Sequence, residues 1–184
     1  MVNITAADVA KLRKTTGAGM MDCKKALQDA EGDFDKAIDI IRKKGQAVAN
    51  KRADREASEG VVLAKSSADN KHGAILVLNC ETDFVSKNED FVKLATQFLD
   101  KAIEEKPATL EELKNLAFDS STVGEKVIEQ IGIIGEKIDI SYYSAIDSDY
   151  VQPYIHPGNM LATLVGFTKS GLDTQVYKDI AMQV

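Results

Sequence analysis

The stretch GAILVLNCETDFV, residues 73–85, decides the fold class. Its first eight residues are almost wholly apolar, rich in Ile, Leu and Val, and bounded by Gly73 on one side and Glu81-Thr82-Asp83 on the other. A short run of that composition between turn signals reads as a buried strand. Ala74, Leu76 and Leu78 then point one way, with Ile75, Val77 and Asn79 opposite. A second β-rich run, Gly60 to Lys65, precedes it, with Asp69-Asn70-Lys71 between them. The pair is expected to form an antiparallel hairpin, although its turn is not a favoured two-residue type. Beyond the strand, Glu81 to Val85 forms a strand-to-helix connection, a place where loops are exposed and often functional. Two readings of it stay open. In one, Phe84 packs back on the core while Asp83 or Ser86 caps the next helix. In the other, Phe84 protrudes with a carboxylate beside it and enters a partner's pocket as a hot spot.

Toward the C-terminus, Asn88-Glu89 opens a helix reaching about Glu105, with Phe91, Leu94, Ala95, Phe98 and Leu99 on its apolar face, and Pro107 stops it. A short helix is expected from Thr109, which has cap spacing to Glu112, and another from about Val123 to Gly132. Ile138 to Ile146 and Met160 to Phe167 read as strands. Leu172 opens a last helix whose apolar pattern (Val176, Ile180, Ala181, Val184) is still running at the end without a cap. The expectation is a chain truncated at its C-terminus, a portion of something longer.

Toward the N-terminus the pattern is helical. Thr5 and Asp8 have the spacing of a capping box, and Ile4 is placed to staple against Val9. The first helix runs to about Thr15, where Gly17 and Gly19 break it. A second covers about Met20 to Ala30, with Cys23, Ala26, Leu27 and Ala30 at spacings of three and four. A third covers about Phe34 to Lys44, buries Phe34, Ala37, Ile38 and Ile41, and ends at Gly45. Residues 46–57 read as a charged helix or linker. The expected architecture is α+β: a three-helix bundle with its linker over residues 1–52, then a core of antiparallel strands and packed helices over 53–184.

The 184 residues are 44% hydrophobic and 28% charged, which suits a globular chain and argues against wholesale disorder. The net charge of −6 is uneven. Residues 1–57 carry 12 Lys/Arg against 9 Asp/Glu, and residues 58–184 carry 11 against 20. A long nucleic acid meeting the second part faces like charge. The basic cluster Arg42, Lys43, Lys44, Lys51, Arg52 and Arg55 has no interleaved aromatic to stack on bases and reads as a solvated helix end and linker. Two Cys exclude a disulfide framework, and no apolar run reaches the roughly 20 residues of a membrane span. The N-terminus MVNITAADVAKLRK lacks the order of a signal peptide, so a cytoplasmic protein is expected.

Little in the sequence supports an enzyme. The two His, His72 and His156, stand at a hairpin turn and beside Pro157, and no HExxH, CxxC or phosphate-loop pattern occurs. No catalytic residue, cofactor or metal is expected. Cys23 and Cys80 read as small buried residues, and Asp22 as a solvated or local helix partner. Met20-Met21, just past a glycine turn, reads as core filler or as an adaptable contact surface, one residue facing each way.

Two motifs are more specific: LRKTTGAGMMDCKKAL at residues 12–27 and NCETDFV at 79–85, with weaker agreement from Ile138-Asp139-Ile140 and Ile180-Ala181-Met182. Together they resemble the bacterial translation elongation factor Ts family. The likeness covers essentially the whole chain but not the whole family protein, whose members continue through the rest of their core. The resemblance implies a first domain like ubiquitin-associated domains and an α+β core of two related halves. It implies a guanine nucleotide exchange factor that binds elongation factor Tu, GDP-bound and nucleotide-free, and promotes GDP release. Asp83 and Phe84, with Thr82 and Val85 beside them, look like the wedge that enters near the magnesium and phosphate region of the nucleotide-binding domain. Arg13, Met20 and Met21 look like the surface that grips the same domain elsewhere. No cofactor, membrane or direct nucleic-acid contact is implied. Members often carry His after Ile-Ala-Met where this chain has Gln183, which puts one contact in doubt. Two other classes stand beside this reading: a helical adaptor for ubiquitin-like or peptide partners through residues 1–45, and an RNA-binding translation accessory protein using the 42–55 basic stretch.

Overall fold

Thr5 and Asp8 form the capping box that their spacing predicts. The Asp8 N–H donates to the Thr5 hydroxyl at 3.2 Å, and the Thr5 N–H donates to the Asp8 carboxylate at 3.0 Å. This closes two orphan donors and starts α1 (Ala6–Thr16). Gly17 ends it in the left-handed region, φ 71°, with its N–H on the Arg13 carbonyl. α2 (Met20–Asp29) follows. Asp33 then caps α3 (Phe34–Lys51) by accepting from the N–H groups of Asp35 and Lys36. The computed structural model describes residues 3–184, so Met1 and Val2 of the N-terminal reading lie outside the described residues.

The remaining elements are β1 (Glu59–Ser66), β2 (His72–Cys80), α4 (Asp83–Ser86), α5 (Glu89–Glu105), α6 (Leu110–Asn115), β3 (Ala117–Phe118), β4 (Ser121–Thr122), α7 (Val123–Ile134), β5 (Asp139–Asp147), β6 (Tyr150–Ile155), β7 (Ala162–Phe167) and α8 (Thr174–Gln183). The architecture is α+β. The chain packs as two units, residues 1–55 with 125–137 and residues 56–124 with 138–184. Among the described residues no helix is long and apolar enough to cross a membrane.

The first unit is helical. Leu12, Cys23, Leu27 and Ala37 are fully buried at its centre, with Ile4, Phe34, Ile38 and Ile41 partly buried around them. Phe34 is therefore less enclosed than its spacing suggested, and the Lys11 ammonium lies 4.6 Å from its ring centroid. Gly45 does not end α3, which runs on to Lys51. A Cβ on Gly45 would lie 3.2 Å from the Ile128 carbonyl of α7, so this glycine serves a close helix approach rather than a stop. The segment expected as charged helix or linker is helix as far as Lys51.

The second unit is built on a sheet of order β1-β2-β5, antiparallel throughout. Leu63 faces Leu76 and Val61 faces Leu78, and the β2–β5 register shifts between Val77 and Leu78. Ala74, Leu76 and Leu78 are fully buried, as the alternation predicts. The apolar face of α5 (Phe91, Leu94, Ala95, Phe98, Leu99, Ala102) is buried, and this helix packs on β1 and β2. β6 has no counterpart in the sequence reading. It carries Pro153, which donates no backbone hydrogen bond, and it pairs only with β7 in a two-stranded ribbon. Tyr150 of that ribbon stacks on Tyr177 of α8 at 3.8 Å between centroids, and Phe167 meets Tyr177 edge-on at 4.8 Å. This aromatic group fixes the last helix.

Candidate partner-binding site

β2 ends in the core at Cys80, whose thiol donates to the Thr82 carbonyl at 3.2 Å. Thr82 is extended (φ −126°, ψ 153°) and makes no side-chain capping bond. The chain then turns at once into α4, a single turn of four residues. The Ser86 N–H donates to the Thr82 carbonyl at 3.2 Å and the Lys87 N–H to the Asp83 carbonyl at 3.1 Å. Ser86 is buried and its hydroxyl donates to the Asp83 carbonyl at 3.2 Å. Asn88, not Asp83 or Ser86, caps α5, accepting from the Asp90 N–H at 2.8 Å.

This geometry rules out the reading in which Phe84 packs back on the core. The buried position on the turn is taken by Ser86, and Phe84 stands 85% exposed, the most exposed large apolar side chain among the described residues. Val85 is half-buried. Asp83 sits beside Phe84 and receives a hydrogen bond from the Lys87 ammonium at 2.7 Å. That bond, and the ammonium's charge, hold the Asp83 carboxyl below the usual carboxylate range. The Lys87 ammonium is correspondingly raised. Sequence reasoning passed over Lys87, although its spacing of four from Asp83 was the signal.

In the first unit Arg13 lies in the last turn of α1 and is exposed, and the turn through Gly17–Gly19 leads directly to Met20 and Met21 at the start of α2. Met20 is 58% and Met21 75% exposed. The expectation that one of them faces inward does not hold. Ala18 fills the core position beside Cys23, whose thiol donates to the Ala18 carbonyl at 3.6 Å, so neither methionine is needed there. Asp22 ion-pairs with Lys44, and Arg42 pairs with Glu129 at 3.4 Å, which neutralises part of the basic cluster.

The chemistry-bearing residues elsewhere have structural surroundings. His72 is buried with Nδ1 2.9 Å from the Asp147 carboxylate, and His156 Nδ1 lies 2.9 Å from the Tyr154 hydroxyl. Cys23 and Cys80 are free and buried. Among the described residues no group of three or more His, Cys, Asp or Glu is placed to hold a metal ion. Gln183 is exposed at the end of α8.

A family model described as elongation factor TS matches residues 81–184, which begins just before the turn that carries Phe84. Over 183 residues the chain is 52% identical to the elongation factor Ts of Amoebophilus asiaticus, covering 98% of this chain and 66% of that protein. It is 51% identical to that of Christiangramia forsetii over all of this chain and 66% of the relative. With the Flavobacterium johnsoniae protein the identity is 52%, over all of this chain and 57% of the relative. The chain thus spans roughly three fifths to two thirds of the length of these curated relatives. With more than half of its residues under the family model and half of its aligned positions identical to such relatives, the chain belongs to the elongation factor Ts family.

Proposed function

We propose that this chain binds elongation factor Tu carrying GDP and promotes GDP release during translation elongation, in the cytoplasm. The observation that supports this reading best is the 85% exposure of Phe84 on a turn anchored by buried Ser86, with the Asp83 carboxylate adjacent. An exposed aromatic on a rigid turn loses little conformational freedom when it enters a pocket, and suits an anchor. In this reading Thr82 to Val85 form a wedge that Phe84 drives between elements of the nucleotide-binding domain. Asp83 competes there for the polar contacts of the magnesium and phosphate region. Residues 1–52 act as a helical grip through Arg13, Met20 and Met21, while residues 53–184 carry the wedge.

The mechanism is one of linkage. A factor that binds the nucleotide-free partner more tightly than the GDP form must weaken GDP binding by the same ratio. Disturbing a magnesium site does this effectively, because the cation offsets diphosphate charge. No bond is formed or broken on this chain, so the reading needs neither a catalytic residue nor a cofactor.

The test is release of a fluorescent GDP analogue from elongation factor Tu, chased with unlabelled GDP, at rising concentrations of this chain. Release should accelerate and then saturate. A rate indifferent to the chain, at concentrations where complex formation is measured, counts against exchange activity.

A further inference from the structure

Asp83 is held at three points. Its carbonyl accepts from the Lys87 N–H at 3.1 Å and from the Ser86 hydroxyl at 3.2 Å, and its carboxylate accepts from the Lys87 ammonium at 2.7 Å. Two of these three bonds come from Lys87. A four-residue turn has no helical stability of its own, so its side-chain directions depend on such restraints and on packing against β1 and β2. The aspartate lies four residues before the lysine, the favourable order for a helical ion pair. Glu59, at the start of β1, also acts on the ammonium, which therefore lies in the field of two carboxylates from different elements.

Resting on the exchange reading above, we propose that Lys87 is a positioning residue. It fixes the Asp83 carboxylate in one orientation beside Phe84 and covers its charge during docking. A bare carboxylate moving toward a region that holds a diphosphate meets like charge, whereas the Asp83–Lys87 pair approaches as a neutral unit. Once docked, the carboxylate keeps the direction that the Lys87 bond sets, so it meets the polar groups around the nucleotide in one orientation. The role of Lys87 is thus exercised through Asp83 and not through a contact of its own.

The experiment measures labelled GDP release from elongation factor Tu by stopped flow over a range of chain concentrations. Wild type, Lys87→Ala, Lys87→Arg, Asp83→Asn and the double variant Asp83→Asn/Lys87→Ala are compared. Lys87→Ala should lower the maximal release rate roughly two- to fivefold, the scale of an exposed ion pair, with a smaller change in half-saturating concentration. Lys87→Arg should restore most of the rate. In the Asp83→Asn background Lys87→Ala should add no further loss. The carboxyl of Asp83, followed by NMR, should titrate closer to an ordinary aspartate in Lys87→Ala. A Lys87→Ala rate equal to wild type overturns the assignment. So does an equal loss in the Asp83→Asn background, which makes Lys87 a direct contact. If the wild-type chain itself fails to accelerate release, the exchange reading falls and this one with it. If it accelerates release and Lys87→Ala matches it, the positioning role alone falls.

Discussion

Gly45 and Gly132 meet backbone to backbone: a Cβ on Gly132 would stand 2.6 Å from the Gly45 Cα. Side chains of any size are therefore excluded where α3 crosses α7. Alanine is the better helix former by about 1 kcal/mol, so an open helix position would gain from the change. Here Gly132→Ala forces two backbones apart, and overpacking of this kind costs about 1–3 kcal/mol. We expect Gly132→Ala to lower the urea midpoint of the first unit. A midpoint at or above wild type would show that the helices separate without cost.

Tyr177 is buried, yet its hydroxyl has two partners. It accepts from the Leu172 N–H and donates to the Lys169 carbonyl, each at 3.1 Å. Tyr177→Phe keeps the stack on Tyr150 but leaves both backbone groups unmet, and should cost about 1–3 kcal/mol. Tyr177→Ala also removes the ring and leaves a cavity, and should cost about 3–5 kcal/mol. Thermal unfolding of the two variants should rank them in that order. Equal losses would mean that the hydroxyl, and not the ring, holds α8.

The hairpin of β1 and β2 was legible because period-two alternation assigns faces: Ala74, Leu76 and Leu78 point inward in both sequence and structure. The α1 cap was legible because Thr5 and Asp8 close a local ring that needs no tertiary context. β6 was not, because Pro153 argues against a strand wherever a neighbour on each side is assumed, and this ribbon has only one. Gly45 misled for a similar reason, since a glycine that ends a helix and one that admits another helix look alike in sequence. Phe84 belongs to no periodic pattern, so its face waited on Ser86 taking the buried position. The partner roles proposed for Arg13, Met20 and Phe84 rest on resemblance, since exposure alone names no partner.

Acid should weaken the caps. The Asp8 carboxyl lies below its usual value near 3.8 because the Thr5 hydroxyl, and then the Thr5 N–H, donate to it. That of Asp33 is lowered chiefly by the Lys36 N–H. A carboxyl whose folded pKa is depressed stabilises the fold at pH values above its unfolded pKa, and that contribution is lost as pH falls through the folded value. Stability should therefore be level above about pH 5 and decline below about pH 4. Asp33→Asn keeps a capping oxygen but does not titrate, so its acid decline should be shallower than that of wild type. Denaturant midpoints between pH 6 and pH 2.5 test this. Parallel curves for the two proteins would remove Asp33 as a source of the decline.

Exposure separates function from folding at Phe84 and Met21. Both side chains are mostly in solvent, at 85% and 75%, so truncating either gives up little burial, and stability should stay within about 0.5 kcal/mol of wild type. The two variants should then diverge in exchange. Phe84→Ala removes the element proposed to act on the nucleotide site, so it should lower the maximal GDP release rate at least tenfold, the scale of a hot-spot loss above about 1.4 kcal/mol. Met21→Ala trims the proposed grip in the first unit, so it should raise the half-saturating concentration and leave the maximal rate near wild type. A Phe84→Ala variant that binds and releases GDP at the wild-type rate would remove the wedge from the mechanism. A Met21→Ala variant with unaltered half-saturation would remove the N-terminal helices from the grip while leaving the wedge standing.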